Sequence, residues 1–417
     1  MDKTYYNRYK SLLEKLNYTY KGYNVKYLVP GYFTFLFSDD AISAREVFKE
    51  FYISTQIKDL GQVLDTKSSS VISFLIDRDD YQDLANSVKS IYPDSSIVKL
   101  SALPNKKVSF LSFSYLKHLA KAFKLIFGRP IDESFMTKLF LVGLLTKLFN
   151  QINVLEKVQC PENIKRYICF NAAYKEESLL TLYFKNRGIE TISMQHGIFC
   201  NFKLMIPFDY INFDNMIADK LLCWGQSTVD YLTSKGIDKS RLILMGNPKY
   251  KDLMISHIDK SFTKCLVLLG RAIYIPSNDK LLSLLKDFNK KHNNKVLFYI
   301  KKHPFLMDVE HKSFASISDN MIFLGREHSV QEVLRSDMVN FTIAVNTTAY
   351  YESLALGKIS LRWSESENEE FIGMNDKFVN LSEFETKLNE FSQKPEEEVR
   401  QEMKEIIKYV FNPELRS

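Results

Sequence analysis

Short apolar runs rich in β-branched residues alternate along this chain with longer stretches whose apolar positions recur at helical spacing. In the first half, Asn24 to Val29 reads as a strand ending at Pro30-Gly31, and Ala41 to Phe51 as a helix. Val71 to Ile76 and Ser96 to Leu100 read as short strands on either side of a helix from Tyr81 to Ile91. Leu111 to Leu155 is mostly helical in pattern. The alternation then resumes: strand Arg166 to Phe170, helix Glu176 to Lys185 stopped by Gly188, strand Glu190 to Met194, and short strands at Lys220 to Trp224 and Leu242 to Met245. A second series follows. Its strands are Lys264 to Leu269, Lys295 to Ile300, Met321 to Leu324, Phe341 to Val345 and Lys358 to Trp363. Its helices cover Asp279 to His292, Val330 to Arg335 and the segment from Asn346 to Leu356, with Gly357 as cap, and an acidic helix from Pro395 to Tyr409 closes the chain.

Continuously apolar strands separated by helices predict parallel sheets covered on both faces. The expected fold is α/β, with two Rossmann-like domains whose parallel sheets face a central cleft. The polar join from Lys249 to Phe262 is the weakest-patterned one and sets the boundary. Residues 1–250 form the expected N-terminal, acceptor-side domain, residues 263–394 a C-terminal domain for a nucleotide donor, and residues 395–417 a helix packing back towards the first domain. The length of 417 residues, more than one core usually serves, agrees with two domains.

Composition narrows the function classes. The net charge of +6 fits an anionic partner such as a nucleotide, a phospholipid surface or an acidic glycan. No zinc spacing, RNA-binding motif or dense basic stripe is present, so a nucleic-acid partner is not expected. Five cysteines with no CxxC read as reduced thiols of a cytoplasmic protein. The N-terminus has no apolar signal region, and the longest apolar run, Leu139 to Leu145, is short of the ~20 residues of a membrane span. Leu116, Leu119, Ala120, Phe123, Ile126 and Phe127 fall on one helical stripe and Lys117, Lys121 and Lys124 on another. Such a helix lies on an anionic membrane or, as the plainer alternative, packs on its own domain.

Candidate chemistry gathers at strand ends, where ligands bind in open α/β sheets. His196, between Gln195 and Gly197, follows a strand, and Gly197 permits a sharp turn. An imidazole there can take a proton from an attacking hydroxyl, or it can be a loop histidine bonded to backbone. Lys302, His303 and Pro304 suit a phosphate held after a strand, the alternative being a solvated basic loop. Asn346, Thr347 and Thr348 open a helix, offering hydroxyls and backbone N–H groups to an anion as well as simple capping. Glu352, one turn on, can accept from ribose hydroxyls, and Gly270-Arg271 adds a cation at the first strand end of the second series. Asp77-Arg78-Asp79 mimics a metal-holding DxD, with helix capping the preferred reading. HExxH, GxSxG and Walker A patterns are absent.

In order, Gln195-His196-Gly197, Trp224-Gly225, Gly246-Asn247-Pro248, Lys302-His303-Pro304 and Asn346-Thr347-Thr348 with Glu352 and Gly357 resemble the motif series of GT-B glycosyltransferases that build bacterial surface polysaccharides. The series is similar to that of CDP-glycerol glycerophosphotransferases and of the His-Pro-motif sialyl-, polysialyl- and Kdo transferases, and it spans about Glu190 to Gly357. The resemblance implies His196 as acceptor-side base and His303, Thr347 and Thr348 on the donor phosphate. It also implies Glu352 on the ribose, and Gln195, Gly197 and Asn247 at the acceptor side or cleft. It implies a single, inverting displacement that uses no cofactor or metal. The donor would be CMP-, CDP- or UDP-linked, and the acceptor a capsule, lipopolysaccharide or teichoic-acid-type glycan, free or lipid-linked, with peripheral contact to the inner membrane surface. Gln195 departs from the Trp of the glycerophosphotransferases, Ile198-Phe199-Cys200 replaces their basic residues, and the polysialyltransferase acidic-acidic-Gly motif is missing. Two further readings are a UDP-N-acetylglucosamine 2-epimerase-like isomerase, which needs several acidic residues near the histidines, and a non-catalytic glycan-binding assembly subunit.

Overall fold

The computed structural model describes the chain from Lys3 to Leu415 apart from residues 37–41, 77–78, 199–200, 203–205, 207–209, 251, 254, 256, 272–273, 308–319, 366–368 and 413. It forms two units. The first comprises residues 1–196, 204–223 and 229–243, and the second residues 197–203, 224–228 and 244–417.

The first unit is built on strands β1 (Ser70–Phe74), β2 (Ser95–Lys99), β3 (Arg166–Cys169), β4 (Glu190–Met194), β5 (Lys220–Cys223) and β6 (Leu242–Leu244). Their order is β6-β5-β4-β3-β1-β2. The ladders joining β2, β1, β3, β4 and β5 are parallel. Every residue of β1 is buried, as expected of a strand covered on both faces. The helices are α1 (Lys3–Lys15), α2 (Pro30–Leu36), α3 (Ala44–Ser54), α4 (Asp79–Ile91), α5 (Phe113–Phe127), α6 (Phe135–Leu155), α7 (Lys175–Lys185), α8 (Tyr210–Asp214) and α9 (Gln226–Ser234).

Helix α6 is long and apolar enough to cross a membrane by length and composition, yet most of it is buried in the core. An all-round apolar helix belongs there. Gly143 lets α3 approach it, since a Cβ at that position would lie 3.2 Å from Glu50 Cγ. The strand expected at Asn24 to Val29 is instead a 3₁₀ turn over Val25–Tyr27, because Asn24 Oδ1 accepts from Lys26 N–H at 3.0 Å. Pro30 then opens α2, where its fixed φ and missing N–H cost nothing.

The second unit carries β7 (Lys264–Leu268), β8 (Leu297–Lys301), β9 (Met321–Phe323), β10 (Phe341–Ala344), β11 (Ile359–Trp363) and β12 (Lys377–Phe378). They run in the order β9-β8-β7-β10-β11-β12, and all five ladders are parallel. Numbered within the unit this is 3-2-1-4-5-6, the strand order of a Rossmann sheet. Trp363 ends β11, and β12 pairs with it at the edge of the sheet. Helices α10 (Ile275–Lys291), α11 (Val330–Arg335), α12 (Ala349–Ala355), α13 (Leu381–Gln393) and α14 (Glu396–Phe411) complete the unit. The terminal helix α14 is grouped with the second unit. There the Phe411 ring stacks on Tyr250 at 5.1 Å and meets Trp224 edge-on at 5.9 Å. Gly225 is needed beside it, because a Cβ there would stand 2.2 Å from Val410 O.

Candidate active site

In each sheet the strand order reverses at one point, and the loops on either side of it diverge to leave a crevice at the carboxyl edge. In the first unit the reversal lies between β1 and β3. His196 follows β4, the next strand along. Gln195 is buried and prolongs the ladder by donating from its backbone to Leu222 O at 3.0 Å. The half-buried His196 ring then sits with Nδ1 3.1 Å from the Phe170 carbonyl at the end of β3. A carbonyl only accepts, so Nδ1 carries the proton and Nε2 the lone pair of the neutral ring. Tyr81, from α4 after β1, meets the ring edge-on at 5.6 Å, and Phe170 lies near-parallel to it at 6.3 Å.

The carbonyl that fixes His196 is itself held. Phe170 N–H donates to Glu177 Oε1 at 2.8 Å, and the Asn171 N–H faces the same carboxyl. Asn171 Oδ1 accepts from Ala173 N–H at 3.1 Å, and Ser193 Oγ accepts from Ala172 N–H at 3.3 Å. Glu177 is buried. Desolvation pushes its carboxyl up to about 8, against the lowering effect of the two backbone N–H groups. Sequence reasoning missed Glu177. It stands at a place that reads as an ordinary first-turn helix carboxylate, and its one distinguishing mark is the Glu176-Glu177 pair directly after the loop that ends an apolar strand.

In the second unit the reversal lies between β7 and β10. The loops after β8, β7, β10 and β11 are therefore consecutive along one carboxyl edge. They carry Lys302-His303-Pro304, Gly270-Arg271, Asn346-Thr347-Thr348 and Ser364, so strand order brings together most of the donor-site residues expected from the sequence. Gly270 is clamped by the buried Asn278, whose Oδ1 accepts from Gly270 N–H at 3.0 Å and whose Nδ2 donates back to Gly270 O at 3.2 Å. Arg271 is exposed, as is Pro304, which opens a 3₁₀ turn, while His303 and Lys302 are half-buried. Lys302 Nζ lies 5.5 Å from the centre of the Phe323 ring.

Asn346 takes the left-handed conformation at φ 43°. Thr347 Oγ1 accepts from Ala349 N–H at 3.3 Å, and Thr348 Oγ1 accepts from Ile198 N–H at 3.3 Å, both within this unit. The helix they precede, α12, has seven residues, so its dipole adds little and the hydroxyls are the relevant groups. A narrow recess beside them is lined by Asn346, Thr347, Tyr350, Arg362 and Phe371. Arg362 was not read from the sequence. Its guanidinium lies 3.9 Å from the Phe371 ring centre, and its Nε donates to the fully buried Asp376 Oδ1 at 2.8 Å. Asp376 also accepts from the Tyr350 hydroxyl.

Three expected site residues have other engagements. Glu352 faces the Tyr250 hydroxyl, which Gln331 Nε2 also reaches at 3.1 Å; burial and the Glu352 charge push that phenol far up. Asn247 is a buried turn former: its N–H donates to Phe411 O at 2.8 Å and its Oδ1 accepts from Lys249 N–H at 3.0 Å. Gly197 is not among the glycines of positive φ, and among the described residues Thr348 Oγ1, at 4.0 Å, is what a Cβ there would meet. Asp77 and Arg78 of the DxD-like segment lie outside the described residues. Among the described residues no cluster of three or more His, Cys, Asp or Glu side chains has the spacing to hold a metal ion. Cys160, Cys169, Cys223 and Cys265 are free thiols, and Cys200 lies outside the described residues.

No protein-family model and no curated protein matches the chain. Solved structures do. The chain is similar to S. aureus MnaA in a structure with UDP, at 12% identity and a TM-score of 0.47, over 81% of this chain and 91% of that one. It is similar to UDP-N-acetylglucosamine 2-epimerase from Rickettsia bellii, at 16% identity and a TM-score of 0.46, over 82% and 96%. A mutant of S. aureus TarM is similar at 12% identity and a TM-score of 0.40, over 63% of this chain and 55% of that one.

Proposed function

We propose that this protein is a glycosyltransferase that moves a sugar, or a polyol phosphate, from a nucleotide-activated donor to a hydroxyl of a bacterial surface glycan. One observation carries the reading: His196 follows the strand next but one to β1 across the reversal of the first sheet, and Lys302-His303-Pro304 and Asn346-Thr347-Thr348 follow strands beside and at the reversal of the second, all at carboxyl edges of parallel strands. Fold alone would not license it, because these sheets host many chemistries. The support comes from what stands at the edges.

In this reading His196 Nε2 takes the proton of the acceptor hydroxyl. For a sugar, the acceptor oxygen bonds to the anomeric carbon as the bond from that carbon to the donor phosphate breaks; for a polyol phosphate, it bonds to the distal phosphorus as the bridging P–O bond breaks; in both, the electron pair leaves with the nucleotide. Lys302, His303, Thr347 and Arg271 would stabilise the departing phosphate. Arg362 stacked on Phe371 offers a planar cation to the nucleotide beside them. No divalent metal is assigned a part, so turnover should persist in EDTA.

The test is nucleotide release from CMP-, CDP-, UDP- and GDP-linked donors, with and without glycan. Release that requires glycan supports transfer. Conversion of a donor without nucleotide release would favour the isomerase, and glycan binding with no reaction a scaffold. His196→Ala should bind the donor normally and lose about 10²–10⁴-fold in turnover. Near-normal turnover in that variant would remove His196 from the role.

A further inference from the structure

Helix α5 turns an unusual face to solvent. Its buried side is Tyr115, His118, Ala122, Leu125 and Ile126, packed towards α6. The sequence placed the apolar stripe and the lysines on different sides. In the folded unit Phe113, Leu116, Ala120, Phe123 and Phe127 are exposed together with Lys117 and Lys124. At about 100° per residue these seven positions span an arc of roughly 120°, with the lysines along one border. Phe113 is 84% exposed and Leu111, in the preceding loop, 88%. The patch continues past the helix end, since the exposed Phe123 and Phe127 rings stack at 5.6 Å and Phe127 meets the exposed Phe135 at 6.0 Å. Isolated exposed apolar residues are common, but a contiguous aromatic patch marks an interaction surface.

Charge identifies the occupant. From Asn105 to Phe135 the chain holds Lys106, Lys107, Lys117, Lys121, Lys124 and Arg129 against Asp132 and Glu133, a net of +4, compared with +6 for all 417 residues. We infer that this face docks on an anionic phospholipid bilayer, the aromatic rings entering the headgroup boundary and the lysines meeting lipid phosphates. The inference goes beyond the proposed transferase activity and does not depend on His196.

The test is co-sedimentation of the full chain with vesicles of phosphatidylcholine alone and of phosphatidylcholine with phosphatidylglycerol. The wild type should partition onto the phosphatidylglycerol vesicles and be released by salt. Lys117→Glu with Lys124→Glu should lower partitioning at least 25-fold, at about fivefold for each lysine lost from an anionic surface. Phe113→Ser with Phe123→Ser should lower it at least tenfold at unchanged circular dichroism. All four positions are exposed, so these variants keep their core contacts. Three results would overturn the inference: no vesicle binding by the wild type, equal binding by wild type and both variants, or a stable dimer in light scattering that the phenylalanine variant abolishes.

Discussion

Replacing Glu177 by Gln tests the buried support beneath His196 through folding stability, without any assumption about substrate. Burial holds the Glu177 carboxyl protonated up to about pH 8, against its ordinary value of 4.5. Between those values the folded protein keeps a proton that the unfolded chain has released. Raising the pH through the window therefore favours the unfolded chain: the contribution of this group to stability is largest below 4.5 and falls until about 8. At roughly 1.4 kcal/mol per pH unit the full span amounts to about 5 kcal/mol, and water entry and local relaxation reduce this to about 2 kcal/mol or more. Glutamine keeps an oxygen to accept from Phe170 N–H but cannot ionise, so its stability should not fall in the same way.

The titratable groups facing Glu177 are Glu176 on its own helix and Tyr167 and Cys169 on β3. Burial holds the phenol and the thiol far above the window, so neither ionises within it. Other buried titratable groups, such as Glu50, whose proton affinity burial raises, and His118, whose proton affinity burial lowers, are present in both proteins and cancel in the difference. Urea unfolding of wild type and variant across the window reads that difference directly. The gap should widen in favour of the variant as pH rises, and a constant gap refutes the assignment of a buried, protonated Glu177. In the same pair, ¹⁵N shifts of the His196 ring should report a proton on Nδ1 in both proteins, because glutamine keeps the acceptor for Phe170 N–H and the Phe170 carbonyl stays in place.

Asp376→Ala strips the partner from Arg362 and from the Tyr350 hydroxyl in a fully buried setting. It should cost about 3–5 kcal/mol by chemical denaturation. Gly225→Ala would place a methyl 2.2 Å from Val410 O, so the last turn of α14 must shift; a loss of roughly 3 kcal/mol is expected in the same assay. His118 is buried between Tyr20 Oη at 2.9 Å and Asn150 Oδ1 at 2.8 Å, and burial lowers its proton affinity below the ordinary value of 6.5. The unfolded chain then takes up the proton more readily, so stability should fall as pH drops below 6.5, and His118→Gln should blunt that fall.

The strand pattern was legible because buried parallel strands are apolar runs bounded by turn formers. Glu190–Met194 and the β7, β8 and β10 strands lie where the periodicity puts them, to within two residues. Asn24 to Val29 misled because its β-branched composition says nothing of Asn24 capping Lys26 N–H. Helices α1 and α13 were not read, since tyrosines and lysines in α1 and glutamates, serines and other polar residues in α13 break up the apolar stripe. Strand order was not readable at all. It is set by which crossover packs where, and it decides which loops become neighbours. For α5 the spacing gave the periodicity but not which side is covered, because phenylalanine and leucine occur all around the helix and packing towards α6 makes the choice. Glu177 and Arg362 were hidden for a related reason: a carboxylate or guanidinium becomes significant through the backbone or ring it meets, and those partners are 7 and 9 residues away along the chain.

The backbone passes from one unit to the other five times, at 196/197, 203/204, 223/224, 228/229 and 243/244. Neither half is therefore a continuous stretch that can be subcloned. A fragment starting at Leu244 would leave the Glu369–Glu370 strand without Asn201–Phe202 and the Phe411 ring without Trp224. Severing the polypeptide there should yield two incomplete bodies that recover their structure only when co-expressed.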